Sequence, residues 1–142
     1  MNVISSRSRS VFITVASVGA LKFELTRGAP LKKIEAVVRT SRLDDIVERL
    51  RLIGTMGMTV SEVHGMSPST TSVTVVQGQK LWRLSAPRYQ LMVVVRDEDA
   101  PHVIAAIMRC ARTDAPGDGI ITVTDVDGVM RIRTGEVDAD AI

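Results

Sequence analysis

Cysteine is nearly absent: the 142-residue chain has one, Cys110. No internal disulfide can form, which suits a reducing cytoplasm. Cys110 sits in an apolar helical run, the setting of an inert thiol rather than a nucleophile. Histidine is almost as scarce. His64 and His102 have no Cys or His companions at metal-ligand spacing, so no metal site built from protein ligands alone is expected. Aromatics make up 3% of the residues. That removes the stacking platforms that hold single-stranded nucleic acid and calls for an aliphatic core filled with methionine. An excess of one charge is lacking too. Eighteen basic against 16 acidic residues leave +2, too balanced for a nucleic-acid partner. The apolar stretch Val11 to Leu21 is too short to span a bilayer and contains Thr14, Ser17 and Gly19. No nucleophile–base pair or carboxylate dyad stands out, so an enzyme is not expected.

What remains is an ordinary composition, 45% apolar and 24% charged, in a chain long enough for one domain with a core. Residues 1–30 stand outside the periodic pattern that follows. Ser5 to Ser10 alternates Ser and Arg, and the leading segment reads as a disordered or weakly ordered arm. Arg7 and Arg9 ahead of an apolar run only faintly resemble a signal peptide.

From Leu31 the pattern is regular. Leu31 to Arg39 is strand-like, with β-branched Ile34, Val37 and Val38. Ser41-Arg42-Leu43-Asp44 predicts a capping-box helix start. Leu43, Ile46, Val47, Leu50 and Ile53 then recur at helical spacing, and Gly54 is a natural stop. Met58 to His64 is a second strand, ended by Gly65. Tyr89 to Arg96 is a third, apolar throughout, which predicts burial on both faces or a subunit contact. Asp97, Asp99 and Pro101 open a second helix, with Val103, Ile104, Ile107, Met108 and Ala111 as its apolar stripe.

Between the halves, residues 67–87 show no sustained period. They contain Ser67-Pro68-Ser69-Thr70-Thr71-Ser72 and Gln77-Gly78-Gln79-Lys80. A loop of that length in a compact domain is functional or disordered. Leu81, Trp82 and Leu84 near its end either pack on the body or anchor a partner; the residues alone favour neither.

Two internal echoes organise the rest. Val37-Val38-Arg39 returns as Val94-Val95-Arg96, and Met58 to Val63 returns as Ile121 to Val126. Each pair brackets one helix, so the chain reads as α+β, a ferredoxin-like βαββαβ sandwich with both helices on one sheet face. The other face needs a cover, which predicts oligomerisation.

The stretch Gly117 to Glu136 carries the chemistry. Gly117-Asp118-Gly119 is a turn whose backbone can approach an anion closely. If the chain beyond Val129 is extended, Arg131 and Arg133 project to one face and Met130 and Ile132 to the other. Two guanidiniums near a glycine turn suit a phosphate. Taken alone, the pattern fits a hairpin edge with two solvated arginines better.

Several blocks together resemble the PII signal-transduction proteins. They are Leu31 to Arg39, Leu43-Asp44-Asp45, Gly54, Gly57 to Gly65, Gly117-Asp118-Gly119 and Arg131-Ile132-Arg133-Thr134-Gly135-Glu136. The match covers residues 31–142. The resemblance implies a homotrimer that binds ADP, AMP or ATP in clefts between subunits. It also implies that the protein reports through a flexible T-loop, here residues 67–87, to an unidentified target protein such as a transporter or enzyme. Carried over by position, Gly57, Met58 and Thr59 line the adenine side. Gly65 and Arg88 stand at the T-loop base, with Arg88 in place of a lysine. Gly117, Asp118 and Gly119 form the phosphate loop, and Arg131 and Arg133 contact phosphates. Leu81 and Trp82 are the candidate docking residues.

The departures are specific. Ile120 replaces a phosphate-binding lysine, and Pro68 and Ser69 replace an arginine and a glutamine that helps hold magnesium and 2-oxoglutarate. Leu81 replaces the tyrosine that is uridylylated, and Gln79 replaces a serine modified in some members. The resemblance therefore implies no uridylylation at that tyrosine and counts against magnesium–ATP–2-oxoglutarate binding. ADP and AMP, which need less neutralisation, should suffer less than ATP. Similar atypical members are tied to inorganic carbon, which makes bicarbonate a candidate second effector. Leu31 falls where members begin with Met, so residues 1–30 are expected to be an upstream extension absent from the native product.

Overall fold

The structure, a computed structural model, describes residues 11–13, 23–25, 30–55, 57–65, 72–83 and 86–142. Short strands β1 (Val11–Ile13) and β2 (Phe23–Leu25) pair with each other antiparallel. The body then runs β3 (Leu31–Arg39), α1 (Leu43–Leu52) and β4 (Met58–Val63), followed by a hairpin of β5 (Ser72–Val76) and β6 (Gln79–Arg83). It closes with β7 (Arg88–Arg96), α2 (Ala100–Ala111) and β8 (Gly119–Val126). The four long strands form one antiparallel sheet in the order β4-β7-β3-β8. This is the ferredoxin-like arrangement the echoes implied. The echo segments end the two central strands and build the two edge strands. Glu35 and Met92, equivalent in the echo, face each other across β3 and β7.

Alternation sorts the central strands. Ile34, Ala36 and Val38 of β3 and Leu91, Val93 and Val95 of β7 are buried beneath Ile46 and Leu50 of α1 and Val103, Ala106 and Ile107 of α2. The third strand is therefore not buried equally on both faces: Gln90, Met92 and Val94 are half-buried on the far side. Among the described residues, no helix covers that side. There Gln90 Nε2 donates to Glu35 Oε1 at 3.2 Å, Lys33 pairs with Glu35 at 3.1 Å, and Ile120 lies 66% exposed. The core is aliphatic, but the expected methionine filling is not in it. Met58 packs on its margin and Met108 is half-exposed.

Local chemistry explains the helix limits. Asp44 and Asp45 in the first turn of α1, and Arg49 and Arg51 in the last, complement its dipole. Gly54 N donates to Arg51 O and Thr55 N to Leu50 O, both at 3.0 Å. With Gly54 at φ +88°, this is a Schellman stop. The capping box predicted at Ser41 does not form. Thr40–Arg42 make a 3₁₀ turn and the cap position, Arg42, supplies no side-chain bond. Thr40 Oγ1 instead donates to Pro87 O at 2.9 Å, tying the helix entry to the start of β7.

Two further expectations are corrected. The segment between the halves is not an aperiodic loop where it is described. β5 and β6 pair over five positions around Gln77-Gly78, whose φ angles of 50° and 78° suit a type I′ hairpin turn. β-Branched Val73, Thr74, Val75 and Val76 carry the strand. Pro68, Ser69 and Leu84 lie outside the described residues. The chain beyond Val129 is not extended either. Met130 bridges Val137, Gly135 N donates to Arg131 O, and residues 132–134 form a turn. Gly135 at φ +72° reverses the chain there, so strand alternation does not govern Arg131 and Arg133.

Candidate functional site

The sheet register divides the candidate residues into two groups. Val63 pairs with Arg88, Arg88 with Arg39, and Val38 with Gly119. Arg88, the Gly117–Gly119 turn and Gly65, just past Val63, thus share one end of the sheet. Met58 pairs with Val93, toward the other end. The strand between Met58 and Val63 is about 17 Å long. Gly57, Met58 and Thr59 therefore do not meet the glycine turn within one chain.

At the first end, the turn is braced from three directions. Arg88 Nη1 donates to the Gly117 carbonyl, and Arg39 Nη2 to the Pro116 carbonyl at 2.7 Å. Arg39 Nε also donates to Asp118 Oδ1 at 3.2 Å. Thr113 supplies its backbone N–H to Asp118 Oδ2 at 2.7 Å and its hydroxyl to Oδ1. These donors, the Thr113 hydroxyl foremost, hold the Asp118 carboxyl well below the ordinary 3.8, at about 2. Both carboxylate oxygens accept bonds from Thr113 or Arg39, so Asp118 holds the loop in place. Gly119 is at φ +116°, and a Cβ there would fall 1.8 Å from the Val37 carbonyl oxygen. β8 can join β3 at this point only through a residue without a side chain. Sequence reasoning missed Arg39 and Thr113 as braces; the one signal was that Arg39 closes an echoed triplet.

At the second end lies a cleft of about 910 Å³, lined by Gly57, Met58 and Thr59 with Arg96, His102 and the C-terminal residues Val129, Ala141 and Ile142. Its size suits a small-molecule ligand. Nothing lies within 4 Å of a Cβ placed on Gly57, so the chain is open there. The loop carrying both arginines rises from this wall, held by Asp138 N donating to Val129 O at 2.8 Å. Arg131 Nη1 donates to Glu136 Oε2 at 2.8 Å, and Thr134 Oγ1 donates to the same oxygen at 2.6 Å. Arg133 is exposed. The docking candidates Leu81 and Trp82 fall in β6, where Trp82 is set across from Val73.

Among the described residues, no group of three His, Cys, Asp or Glu could hold a metal ion, and no helix is long and apolar enough to cross a membrane.

Known proteins share this architecture. A family profile described as "Nitrogen regulatory protein P-II" matches residues 31–136. The chain is similar to the nitrogen regulatory protein P-II of Pasteurella multocida, 42% identical over 112 residues, covering 79% of this chain and all of that one. P-II 1 of Methanothermobacter thermautotrophicus is likewise 42% identical, over 79% of this chain and 97% of its own length. Among solved structures, a Bacillus subtilis GlnK–ATP complex superposes with a TM-score of 0.65 at 26% identity, over 80% of this chain and 96% of that one. Arabidopsis thaliana PII bound to citrate gives 0.65 at 32% identity, over 80% and 94%.

Proposed function

The chain belongs to the nitrogen regulatory protein P-II family, and from that premise we propose that it is a trimeric, adenine-nucleotide-sensing regulator of a partner protein. Members of this family are regulators rather than enzymes. The observation that carries the reading is the division of the site. A glycine turn suited to a phosphate sits at one end of the sheet, and at the other lies an open cleft whose Val129 wall leads into the loop of Arg131 and Arg133, so the turn and the cleft do not close on one ligand within a chain. Two copies packed through their uncovered sheet faces bring the halves together. The Gly117–Gly119 turn of one copy then receives the phosphates. Arg131 and Arg133 of the next neutralise them, and its Gly57, Met58 and Thr59 flank the base. Glu136 holds Arg131 ready, and a phosphate group competes with that carboxylate for the guanidinium. The ATP complex of the Bacillus subtilis relative supports an adenine nucleotide as effector.

The nucleotide biases residues 67–87 between two states, and the β5–β6 hairpin with Leu81 and Trp82 docks or releases the target. The relatives are nitrogen regulators by name, so a nitrogen-linked response to ATP is the preferred reading; the carbon-linked expectation, with bicarbonate, finds no support among them. Uridylylation has no acceptor in the loop, because the only tyrosine is Tyr89, in β7. Ile120 adds no charge beside the turn, which favours ADP over ATP relative to lysine-bearing members.

Calorimetry with ADP, AMP and ATP, each with and without 2-oxoglutarate, magnesium or bicarbonate, tests the reading. Nucleotide binding is expected, and Arg131→Ala should weaken it at least tenfold, because losing a charge-assisted donor costs about 1.5–3 kcal/mol. No heat with any nucleotide, or an unchanged dissociation constant in Arg131→Ala, refutes the assignment.

A further inference from the structure

We propose that Ile132 of one copy seats in an apolar recess beside the Gly117–Gly119 turn of the next, and that this seating aims Arg131 and Arg133 at the bound phosphates. The inference rests on the two-copy site above and names the residue that sets its geometry.

Three observations support it. Ile132 is 101% exposed, a β-branched aliphatic side chain at the tip of a turn and without cover from its own chain. It sits between the two arginines, so its Cα is about 3.8 Å from each of theirs. When the arginines reach the glycine turn of a second copy, Ile132 must meet the same wall. That wall contains a recess of about 280 Å³, lined by Val38, Ile107, Met108, Ala111, Ile120 and Ile121 and reaching Asp118 and Gly119. Its two charged lining residues are engaged within their own chain, Arg112 with Asp114 and Asp118 with Thr113 and Arg39. What is left for an occupant is apolar surface, in a volume that takes one branched aliphatic side chain. Burying Ile132 there fixes the tip's register and therefore the reach of both guanidiniums. In this role Ile132 is a positioning residue that acts through Arg131 and Arg133.

The test is a charge swap between copies. Met108 is 52% exposed at the recess, so Met108→Lys should leave the fold intact. ADP affinity by calorimetry and oligomer mass by native mass spectrometry are measured for the full chain, Ile132→Asp, Met108→Lys and the double variant. Ile132→Asp should weaken ADP binding about tenfold or more. The double variant should recover most of that loss, because the new carboxylate meets the new ammonium across the interface; Ile132→Val should stay near the unmutated chain. Recovery in the double variant is a result that a merely folding-related role would not give. Unchanged ADP affinity in Ile132→Asp, or no recovery in the double variant, overturns the inference while the two-copy site stands. If the unmutated chain binds no ADP, the two-copy site falls and this inference with it.

Discussion

The sharpest test of the site's architecture is a single methyl group. Gly119→Ala places a Cβ 1.8 Å from the Val37 carbonyl oxygen and 2.9 Å from the Val37 carbonyl carbon. That backbone cannot move away without opening the β3–β8 ladder, whose strands lie about 4.8 Å apart. Alanine at φ +116° is strained on its own, by about 1–2 kcal/mol. Losing one or two ladder bonds adds about 1 kcal/mol each, so the total is about 3 kcal/mol. Gly54→Ala is the matched control. Its φ of +88° is also left-handed, but a Cβ there meets nothing within 4 Å, so only the strain of about 1 kcal/mol applies. For a chain of this size 1 kcal/mol moves Tm by about 3 °C. Thermal unfolding by circular dichroism should show a drop of about 10 °C for Gly119→Ala and about 3 °C for Gly54→Ala. Both are run at one protein concentration, since association shifts Tm. Equal shifts in the two variants would mean that β8 does not approach Val37 as described, and the account of the turn would fail.

Four other outcomes are expected. The lowered pKa of Asp118 adds stability that is present above its ordinary 3.8 and lost as pH falls through about 2; acid titration of Asp118→Asn should lack that limb, and an identical acid profile would count against the Thr113–Arg39 brace. Lys32 is raised above 10.5, first by its hydrogen bond to Asp125 and then by Asp97, so its contribution is full below 10.5 and lost at higher pH; Lys32→Met should flatten the alkaline limb of the stability curve. Leu50→Ala removes a fully buried side chain and should cost about 2–5 kcal/mol in urea unfolding; a loss under 1 kcal/mol would place Leu50 outside the core. Gly78→Val puts a β-branched residue at φ 78°, so amide exchange across residues 72–83 should accelerate if the type I′ turn sets the hairpin.

Periodicity and punctuation made most of the body legible. The β-branched run of β3, the helical stripe ending at Gly54, Pro101 in the first turn of α2 and the two echoes were enough for the order β3-α1-β4 and β7-α2-β8 and for a sheet needing a cover on one face, but not for the β1–β2 pair or the β5–β6 hairpin. Each of those signals acts within a few residues, or through a repeat that any reader of the chain can align. The candidate site was legible only as a set of residue types: a glycine turn and an Arg-x-Arg pair. Its geometry was not. Strand alternation predicted a shared face for Arg131 and Arg133, but Gly135 and the Met130–Val137 bridge turn the chain there. Arg39 and Thr113 brace Asp118 from positions 79 and 5 residues away, contacts that no local spacing encodes. The separation of Gly57–Thr59 from Gly117–Gly119 depends on which strands are neighbours, and strand order is a property of the packed sheet. The residues alone determined which side chains and turns are available to meet an anion; the tertiary structure decided that Gly57–Thr59 and the Gly117–Gly119 turn stand at opposite ends of the sheet, because the ends of β4 lie a strand's length apart.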